Sequence, residues 1–476
     1  MDASTGPGAP LNLCLSEDGL YAAHVSGKGL VLHSNVASEN KEVQIARIKE
    51  IPLKSLKYSN VERSPVASAD ESASQRRLLS ANDGRISIWQ LTPLEIFAEI
   101  ENLEPGSLAA DFGADENEVL VFHAWNTKLS VHSLETGRSS VIKTPKFAHH
   151  FGFGYRPQTR QLAILLKPEA SDLLTVHESR SYELVNRTIL PTIDAQGLKW
   201  SPDGKWIAIW DIASAGTKVL VFTADGQPFR TYSGPSGVDD AFDLGVKQIE
   251  WSPATNQGLS EILAVSKVNG NIDLLRTRTV ILFPNNTLTC LPNRPAMFQY
   301  LARAIHQCGG DAEYVETSSS SAWSMSPESA GPPRGVLTMT FSHDGLLLAT
   351  VDTARQNVVW IWSLEGTPTL ASALVHEQPV RQVAWHPSTP QLLINTITNT
   401  LPAIRWWSPQ DHPLIARVPI QRNESGKYDV RWAAGSDTDS LFWYSSPEQH
   451  VIGYLSTRDG AVEFEALNSV SSKSLS

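Results

Sequence analysis

Apolar and polar residues alternate over short stretches of this chain, and turn residues separate the stretches. In the clearest example, residues 198–210, the turn Ser201-Pro202-Asp203-Gly204 divides two alternating runs. A third run, residues 218–222, ends at Ala224-Asp225-Gly226. Period-two alternation bounded by Pro, Asp and Gly is typical of antiparallel strands joined by tight turns. The pattern therefore predicts a small antiparallel sheet.

The same order of strand and turn signals recurs along the chain. Strong copies begin near Ile249, Met339 and Val383, and weaker copies begin near Leu13, Leu56, Ala110, Gly152 and Val430. A period of about 40–50 residues with about four strands per unit is typical of β-propeller blades, which bury their faces against one another. We predict an all-β propeller array of about nine units over residues 1–475, either closed in one ring or divided into a ring of about seven and two further units.

Four tryptophans occupy the same place in their units, namely Trp200, Trp251, Trp385 and Trp432. A large aromatic side chain repeated at one position of each unit favours a role in the core between blades over a role in a ligand cage.

Two stretches interrupt the period. Residues 60–76 are small, polar and proline-containing, which predicts an exposed loop within the second unit. Residues 276–335 separate the sixth and seventh units and contain a serine run and Gly331-Pro332-Pro333, which predicts a long, partly disordered insertion. Within it, residues 295–305 carry apolar positions at helical spacing. They predict either a helix docked on a propeller face or an insertion without a function.

Composition limits the class of partner. The chain has 476 residues, of which 41% are hydrophobic and 19% charged, so it is able to bury a large core. Its net charge of −11 disfavours nucleic acid or an anionic membrane as the main ligand. The 3 cysteines form no CxxC pair, which indicates a reducing compartment. The chain starts without a signal-peptide pattern and has no apolar run of the ~18 residues that span a membrane, so we expect no membrane insertion.

Residues 198–204 and the pair Trp362-Ser363 resemble the WD40 superfamily, although the Gly-His signature is absent. Residues 198–204, 207–211, 224–226, 231–233 and 246–253 taken together are similar to the WD repeat-containing protein 8 family. This resemblance implies a non-enzymatic WD40-type scaffold in the cytoplasm and cytoskeleton, at the centrosome or spindle pole body. It implies two partners, a coiled-coil anchoring protein and a minus-end kinesin-14, and a role in anchoring microtubule minus ends in the mitotic spindle.

Trp210 and Asp211 lie at the end of a second strand instead of a third, where WD40 units usually end in Trp-Asp. The loop that follows opens on the face of a propeller that most often receives partners, so the pair is a candidate partner-binding site. In the alternative interpretation, Trp210 covers the rim of the core and Asp211 caps the turn.

A search for catalytic chemistry finds no phosphate-binding loop, nucleophile elbow or zinc-binding helix. His149 and His150 are consecutive strand residues that face opposite sides, and His376-Glu377 lacks a second histidine, so neither predicts a metal site. Gly152-Phe153-Gly154 is half of a dinucleotide fingerprint but opens a strand. The acidic run 239–243 predicts a solvated loop, or else a site for calcium or a basic peptide. We expect no catalytic residues, cofactor or metal.

Ser64 and Ser326 precede prolines in the two interrupting stretches and are candidate sites for a proline-directed kinase. Two other scaffold classes stay open besides the spindle-pole role. A translation-initiation propeller would need a basic RNA-facing surface, and a ubiquitin-ligase receptor would need an arginine soon after the blade-ending Trp. A propeller hydrolase is the enzymatic alternative.

Overall fold

A computed structural model describes most of the chain. The described residues are 13–15, 21–26, 29–34, 41–46, 55–58, 77–82, 84–91, 93–101, 106–107, 109–234, 243–254, 262–276, 281–289, 298–305, 311–316, 335–397, 402–422, 426–432, 441–446, 449–458 and 461–471. Ser64, Ser326 and the predicted loop 60–76 lie outside the described residues, so phosphorylation at the two serines stays a prediction.

The described strands form nine sheets, eight with four strands and one with six. The chain divides into two compact units, one with residues 1–191 and 470–476 and the other with residues 192–469. We number the sheets as blades 1 to 9 in chain order.

Blades 1 to 4 belong to the first unit. Blade 1 comprises β1 (Leu13–Leu15), β2 (Tyr21–Ser26), β3 (Gly29–Ser34) and β4 (Lys41–Ala46). Blade 2 comprises β5 (Ser55–Tyr58), β6 (Arg77–Ala81), β7 (Arg85–Leu91) and β8 (Leu94–Glu101). Blade 3 comprises β9 (Ala109–Phe112), β10 (Glu118–Phe122), β11 (Lys128–Ser133) and β12 (Ser139–Lys143). Blade 4 comprises β13 (Phe153–Tyr155), β14 (Leu162–Leu166), β15 (Leu173–His177) and β16 (Leu184–Ile189).

The second unit begins with blades 5 and 6. Blade 5 comprises β17 (Gly197–Trp200), β18 (Trp206–Trp210), β19 (Val219–Thr223) and β20 (Pro228–Tyr232). Blade 6 comprises β21 (Val246–Trp251), β22 (Ile262–Lys267), β23 (Asn271–Arg276) and β24 (Ile281–Thr289).

Blades 7 to 9 follow a hairpin that joins blade 7. The hairpin consists of β25 (Phe298–Ile305) and β26 (Asp311–Glu316). Blade 7 comprises β27 (Val336–Phe341), β28 (Leu347–Asp352), β29 (Arg355–Ser363) and β30 (Thr369–Val375). Blade 8 comprises β31 (Val380–Trp385), β32 (Leu392–Thr396), β33 (Ala403–Trp407) and β34 (Leu414–Arg417). Blade 9 comprises β35 (Asp429–Trp432), β36 (Phe442–Ser445), β37 (Gln449–Arg458) and β38 (Ala461–Ser471).

Within each blade, strands that follow one another in the chain are neighbours in the sheet. The two middle strands are mostly buried, as in β28 and β29, because blades 6 and 8 cover their two faces. The fourth strand is largely exposed in blades 2 to 5, as in β16, whereas β30 of blade 7 is mostly buried. Two middle strands covered on both faces and a solvated outer strand are what a stacked propeller blade requires. The all-β prediction of about nine four-stranded units is confirmed, and closure into one ring stays a prediction.

Apolar clusters join neighbouring blades inside each unit. In the first unit one cluster holds Phe122 of blade 3 and Ile164 of blade 4. In the second unit Leu274 packs with Trp360 across blades 6 and 7, and Ile404 lies in one cluster with Tyr444 of blade 9. The core therefore consists of layers between blades and not of one central mass.

Three of the repeated tryptophans fix the contact between first strands. The indole N–H of Trp251 donates to the carbonyl oxygen of Lys199 at 3.2 Å. Trp385 donates to Thr340 at 3.0 Å, and Trp432 donates to Ala384 at 2.9 Å. In each case the acceptor lies on the first strand of the preceding blade. The predicted inter-blade role of these three side chains is confirmed, and Trp200 is half-buried.

The Ser-Pro-Asp-Gly turn has the predicted form. The Ser201 hydroxyl donates to Asp203 at 2.6 Å and accepts from the backbone N–H of Trp206 at 3.0 Å. Gly204 supplies the positive φ of 68° that the turn needs. Because every contact is local, this turn could be predicted from the sequence.

The predicted insertion differs from expectation in two ways. β24 lies within residues 276–335 but pairs with β23 and completes blade 6. The helical interpretation of residues 295–305 is wrong, because Phe298–Ile305 is a strand that pairs in parallel with the outer strand β30. An outer strand presents unpaired backbone groups, and the hairpin β25–β26 covers them. Tyr314 of β26 is buried in the cluster between blades 7 and 8.

Candidate functional site

Buried polar side chains gather at one end of the blades. At this end the second strand of a blade turns into the third, and the linker from the preceding blade arrives; we call it the linker end. In blades 5 and 6 the linker end contains the linker 192–196, the loop 211–218 and the linker segment 243–245. These three segments form the candidate functional site.

Trp210 and Asp211 lie at the centre of this site and are both buried. Trp210 is 3% exposed and Asp211 is 0% exposed. The Asp211 carboxylate accepts hydrogen bonds from the backbone N–H groups of Ile193 at 2.9 Å and Asp194 at 2.8 Å. It accepts a third from its neighbour Ile212 at 2.9 Å. The Lys218 ammonium lies 3.7 Å away. Asp211 thus ties the incoming linker to the loop after β18.

These contacts bear on the predicted partner-binding role of Trp210 and Asp211. The interpretation in which Asp211 caps a turn describes the contacts, since all three donors are backbone groups of the linker and loop. A buried carboxylate with three donors has few lone pairs left for a partner. Partner binding by Trp210 and Asp211 stays a prediction, and the described contacts give the pair a positioning role.

A second carboxylate holds the loop from its other side. Asp243 accepts from the backbone N–H and the hydroxyl of Thr217 at 2.5 and 2.6 Å, and from the N–H of Gly245 at 3.1 Å. Burial raises the pKa of Asp243, but the bonds from Thr217 and Gly245 and the charge of Lys267 outweigh it and hold the pKa below its ordinary value. Of the acidic run 239–243, Asp243 alone is among the described residues.

Gly245 allows the linker to approach the loop closely. Its φ is +78°, and a Cβ at this position would lie 2.0 Å from the carbonyl oxygen of Ala213. No side chain fits in that space, so the loop and linker pack backbone against backbone.

An ion pair below this contact is also buried. The Lys267 ammonium lies 2.7 Å from the Asp273 carboxylate, and the Tyr232 hydroxyl donates to the same carboxylate at 2.9 Å. Tyr232 ends blade 5, whereas Lys267 and Asp273 belong to blade 6. Burial raises the pKa of Tyr232, so its hydroxyl keeps the proton that it donates. The Tyr232 hydroxyl therefore joins blade 5 to an ion pair that lies within blade 6.

The carboxylates hold two apolar side chains in solvent. Ile193 is 67% exposed although its own N–H is bonded to Asp211, and Leu244, next to Asp243, is 44% exposed. The sequence analysis missed both residues. An available signal was an isolated apolar residue in a polar linker, outside the alternation of any strand. Rigid exposed apolar residues flanked by satisfied polar groups are suited to protein contacts.

His376 lies at the linker end between blades 7 and 8 and is buried. Its Nδ1 is 3.0 Å from the carbonyl oxygen of Asn357, so Nδ1 carries the proton, and Nε2 accepts from the Tyr314 hydroxyl at 2.7 Å. Burial and the nearby Arg405 guanidinium lower the pKa of His376 to about 3. His376 is thus a neutral anchor for the hairpin β25–β26.

The other chemical candidates also have structural explanations. Gly152 donates its N–H to the carbonyl of His149, and a Cβ there would lie 2.8 Å from the Cβ of Phe147. His149 and His150 contact each other and Phe151 through their rings. Within the described part of the chain, no group of three His, Cys, Asp or Glu side chains is placed to hold a metal. The helical turns described, Ala124–Asn126 and Ala213–Ala215, have three residues each and are too short to cross a bilayer.

Repeated four-stranded blades with Trp and Ser-Pro-Asp-Gly signatures define a WD40-type β-propeller fold. The chain is 26% identical over 402 residues to the WD repeat-containing protein WRAP73 of Mus musculus, a match that covers 79% of this chain and 82% of that protein. It is 22% identical over 329 residues to an uncharacterized WD repeat-containing protein of Schizosaccharomyces pombe, covering 66% of this chain and 62% of that protein. No protein-family model matches the chain. These similarities support the WD repeat family.

A solved structure supports the fold. Saccharomyces cerevisiae Sqt1 aligns with a TM-score of 0.50 at 9% identity, over 78% of this chain and 90% of that chain. At this identity the likeness concerns the fold alone.

Proposed function

We propose that this protein is a non-enzymatic WD40-type adaptor at the spindle pole body or centrosome. In this role it binds a coiled-coil anchoring protein and a minus-end kinesin-14, and so anchors microtubule minus ends in the cytoskeleton of the mitotic spindle. The resemblance to the WD repeat-containing protein 8 family supports this choice among WD40 scaffolds, and the similarity to WRAP73 supports the WD repeat class.

The observation that carries the adaptor role is the presentation of Ile193 and Leu244 by the buried Asp211 and the half-buried Asp243. Ordering a loop during binding costs free energy, and Asp211 and Asp243 have already ordered these segments in the free protein. A partner that buries both side chains therefore gains apolar contact without ordering the linkers. The coiled-coil anchor, with its repeated apolar positions, is the partner assigned to this surface.

Affinity capture from mitotic cells tests the proposal. The wild-type chain, tagged, is expected to recover a coiled-coil anchor and a kinesin-14 and to form foci at spindle poles. Ile193→Ser with Leu244→Ser is expected to reduce recovery of the anchor by about 30-fold, since each deleted contact is worth about 1 kcal/mol or more. Both side chains are exposed, so the double variant is expected to fold normally.

A matched double variant controls for loss of exposed apolar surface. Ile96 and Leu184 are exposed to a similar degree but lie on the outer strands β8 and β16. Ile96→Ser with Leu184→Ser should capture both partners as the wild type does. Equal loss in both double variants would contradict the assignment to the linker end. Recovery of ribosomal subunits or ubiquitin-ligase components, with a diffuse signal, would overturn the spindle-pole role.

A further inference from the structure

Arg405 is a charged residue inside the packing between two blades. It lies on β33, directly opposite Ile394 of β32 and Ile415 of β34. Residues directly opposite each other on neighbouring strands share one face of the sheet. Ile394 belongs to the apolar cluster between blades 7 and 8, and Ile415 packs against that cluster. The side chain of Arg405 therefore enters the same layer.

The guanidinium of Arg405 has no partner in this layer. Its Nε is closed to solvent and makes no hydrogen bond, and no residue that the structure describes forms an ion pair with it. Burial lowers the pKa of Arg405, and the opposing effect of Tyr314, Tyr444 and Glu377 is smaller. Glu377 is exposed to solvent. Arg405 as a whole is half-buried, so solvent reaches part of the residue.

Arg381 of the same blade shows how an arginine is satisfied elsewhere in this unit. Its Nε donates to the carbonyl oxygen of Tyr428 at 2.8 Å, and its Nη2 donates to the carboxylate of Asp429 at 2.8 Å. Removing a charged group from water without such acceptors is costly, whereas an anion supplied from outside can take the same positions around a guanidinium. The contrast indicates that Arg405 is kept for a ligand.

A second polar group on this face also lacks a partner. Thr396 lies two residues after Ile394 on β32, so it shares the face of Arg405, diagonal to it at about 7–8 Å. Thr396 is 1% exposed, and its Oγ1 makes no hydrogen bond. Tyr314 and His376 also face blade 8 here, but they are bonded to each other at 2.7 Å. The groups left to bind a ligand are therefore a guanidinium and a hydroxyl.

The charge of the site selects the class of anion. One guanidinium balances one negative charge, and the nearby Glu377 disfavours a second. A carboxylate carries one charge, and its two oxygens match the planar fork of a guanidinium. A phosphorylated side chain carries about −1.5 to −2 and fits this balance less well.

We infer that Arg405, with Thr396, forms a site between blades 7 and 8 that binds a carboxylate. The guanidinium donates to the carboxylate oxygens, and the Thr396 hydroxyl is a further donor. The carboxylate belongs either to an Asp or Glu side chain of a partner or to a small free acid, and the chemistry of recognition is the same. The inference is independent of the spindle-pole role, because it concerns the purified chain.

Thermal unfolding of the purified full chain, with acetate as the probe, tests the site. Acetate at about 0.1 M is expected to raise the Tm of the wild type by about 3 °C relative to chloride at equal ionic strength. Arg405→Met should abolish this difference, and Arg405→Lys, which keeps the charge and loses the fork, should reduce it. Thr396→Val should also reduce it. Arg381→Met is the matched control and should keep the full acetate effect.

The Tm values in chloride alone give a second readout of opposite sign. Arg405→Met is expected to leave the Tm unchanged or to raise it by up to about 3 °C, because an unpaired charge is replaced by an apolar side chain. Arg381→Met is expected to lower the Tm by about 3 °C, because it loses two hydrogen bonds. A loss in Arg405→Met as large as that in Arg381→Met would overturn the inference, since Arg405 would then already have its partners.

Two further results would overturn the carboxylate site. One is an equal acetate effect in the wild type and in Arg405→Met. The other is a larger, Arg405-dependent effect of inorganic phosphate at the same ionic strength, which would assign the site to a different anion.

Affinity capture distinguishes the two sources of the carboxylate. If Arg405→Met folds, loses its acetate effect and no longer recovers one partner, the carboxylate belongs to that partner. If it loses the acetate effect and recovers every partner, a small free acid is the ligand. The adaptor proposal fails separately, when the wild type recovers neither a coiled-coil anchor nor a kinesin-14, whatever the response to acetate.

Discussion

Among the described residues, Trp210 ends a strand at the linker end and Trp125 lies in a linker-end loop, and the two side chains have opposite surroundings. In blade 5 Trp210 ends β18 and Asp211 begins the loop that follows; both are buried, and the carboxylate binds backbone groups of the incoming linker. In blade 3 the loop after β10 places Trp125 in solvent, and backbone and amide groups enforce its left-handed conformation. In blade 5 the hydrogen bonds of the loop fix the neighbouring linker, whereas in blade 3 they fix the turn that exposes Trp125.

The difference shows that a tryptophan at a linker end does not by itself indicate either a structural or a binding role. Trp210 has a carboxylate next to it that satisfies three backbone donors, so the pair is explained by the fold alone. Trp125 is surrounded by satisfied backbone groups but makes little contact itself. Exposure and backbone conformation, and not residue type, distinguish the two tryptophans.

The largest expected effect comes from truncating the buried pair. Trp210→Ala is expected to lower the free energy of unfolding by about 4 kcal/mol, because it leaves a cavity at a fully packed strand end. Asp211→Ala should lower it by about 3 kcal/mol, since three backbone N–H groups lose their buried acceptor. Urea unfolding followed by circular dichroism measures both.

The double variant Trp210→Ala with Asp211→Ala is therefore expected to lose partner capture through loss of the fold at the linker end. Glu95→Ala, at an exposed position of β8, is the matched acidic control and should change stability by less than about 0.5 kcal/mol. If the double variant is stable and still loses its partners, Trp210 and Asp211 bind a partner directly and their role is not only structural.

A smaller effect is expected from pH at another buried linker-end group, His376. Its folded-state pKa of about 3 lies below its ordinary value of 6.5, so the unfolded chain binds the proton more readily. The stability that this residue contributes is present above pH 6.5 and falls as the pH decreases toward 3, by up to about 1.4 kcal/mol per pH unit.

Urea titrations at several pH values test this dependence. The variant His376→Gln should show a flatter fall of stability between about pH 6.5 and pH 4, although its stability at neutral pH is lower. An identical pH profile in wild type and variant would mean that His376 is not held neutral. The buried polar side chains at the linker end would then be held less rigidly than the hydrogen bonds around Asp211 indicate.

The sequence predicted those features whose contacts are local or repeated. The turn at Ser201 and Asp203 closes within a few residues, and Trp251 and Trp385 share one place in the repeat. It did not predict the burial of Asp211, because the donors come from a linker 17 and 18 residues earlier in the chain. It also assigned Phe298–Ile305 to a helix, because the strand depends on the edge of β30, about 70 residues later.

The sequence analysis missed Trp125 for a related reason. Its significance lies in a positive φ and in a hydrogen bond from Asn126 to Lys146, neither of which leaves a trace in the hydrophobic pattern. The short run His123-Ala124-Trp125-Asn126 between two strands gave one usable signal, an aromatic residue where a turn ordinarily has Gly, Asn or Asp.

The smallest expected effect has the opposite sign and sharpens the comparison most. Asparagine tolerates the left-handed region better than tryptophan does, and Trp125 buries little that its loss would expose. Trp125→Asn is therefore expected to raise the free energy of unfolding by about 0.5 kcal/mol in urea titrations. Ile96→Asn, a substitution at an exposed strand position, should give no such gain. A loss of more than about 1 kcal/mol in Trp125→Asn would show that the indole supports the fold as Trp210 does. A gain would mean that this chain maintains a strained residue whose benefit lies outside its own stability, which is the property expected of a binding residue.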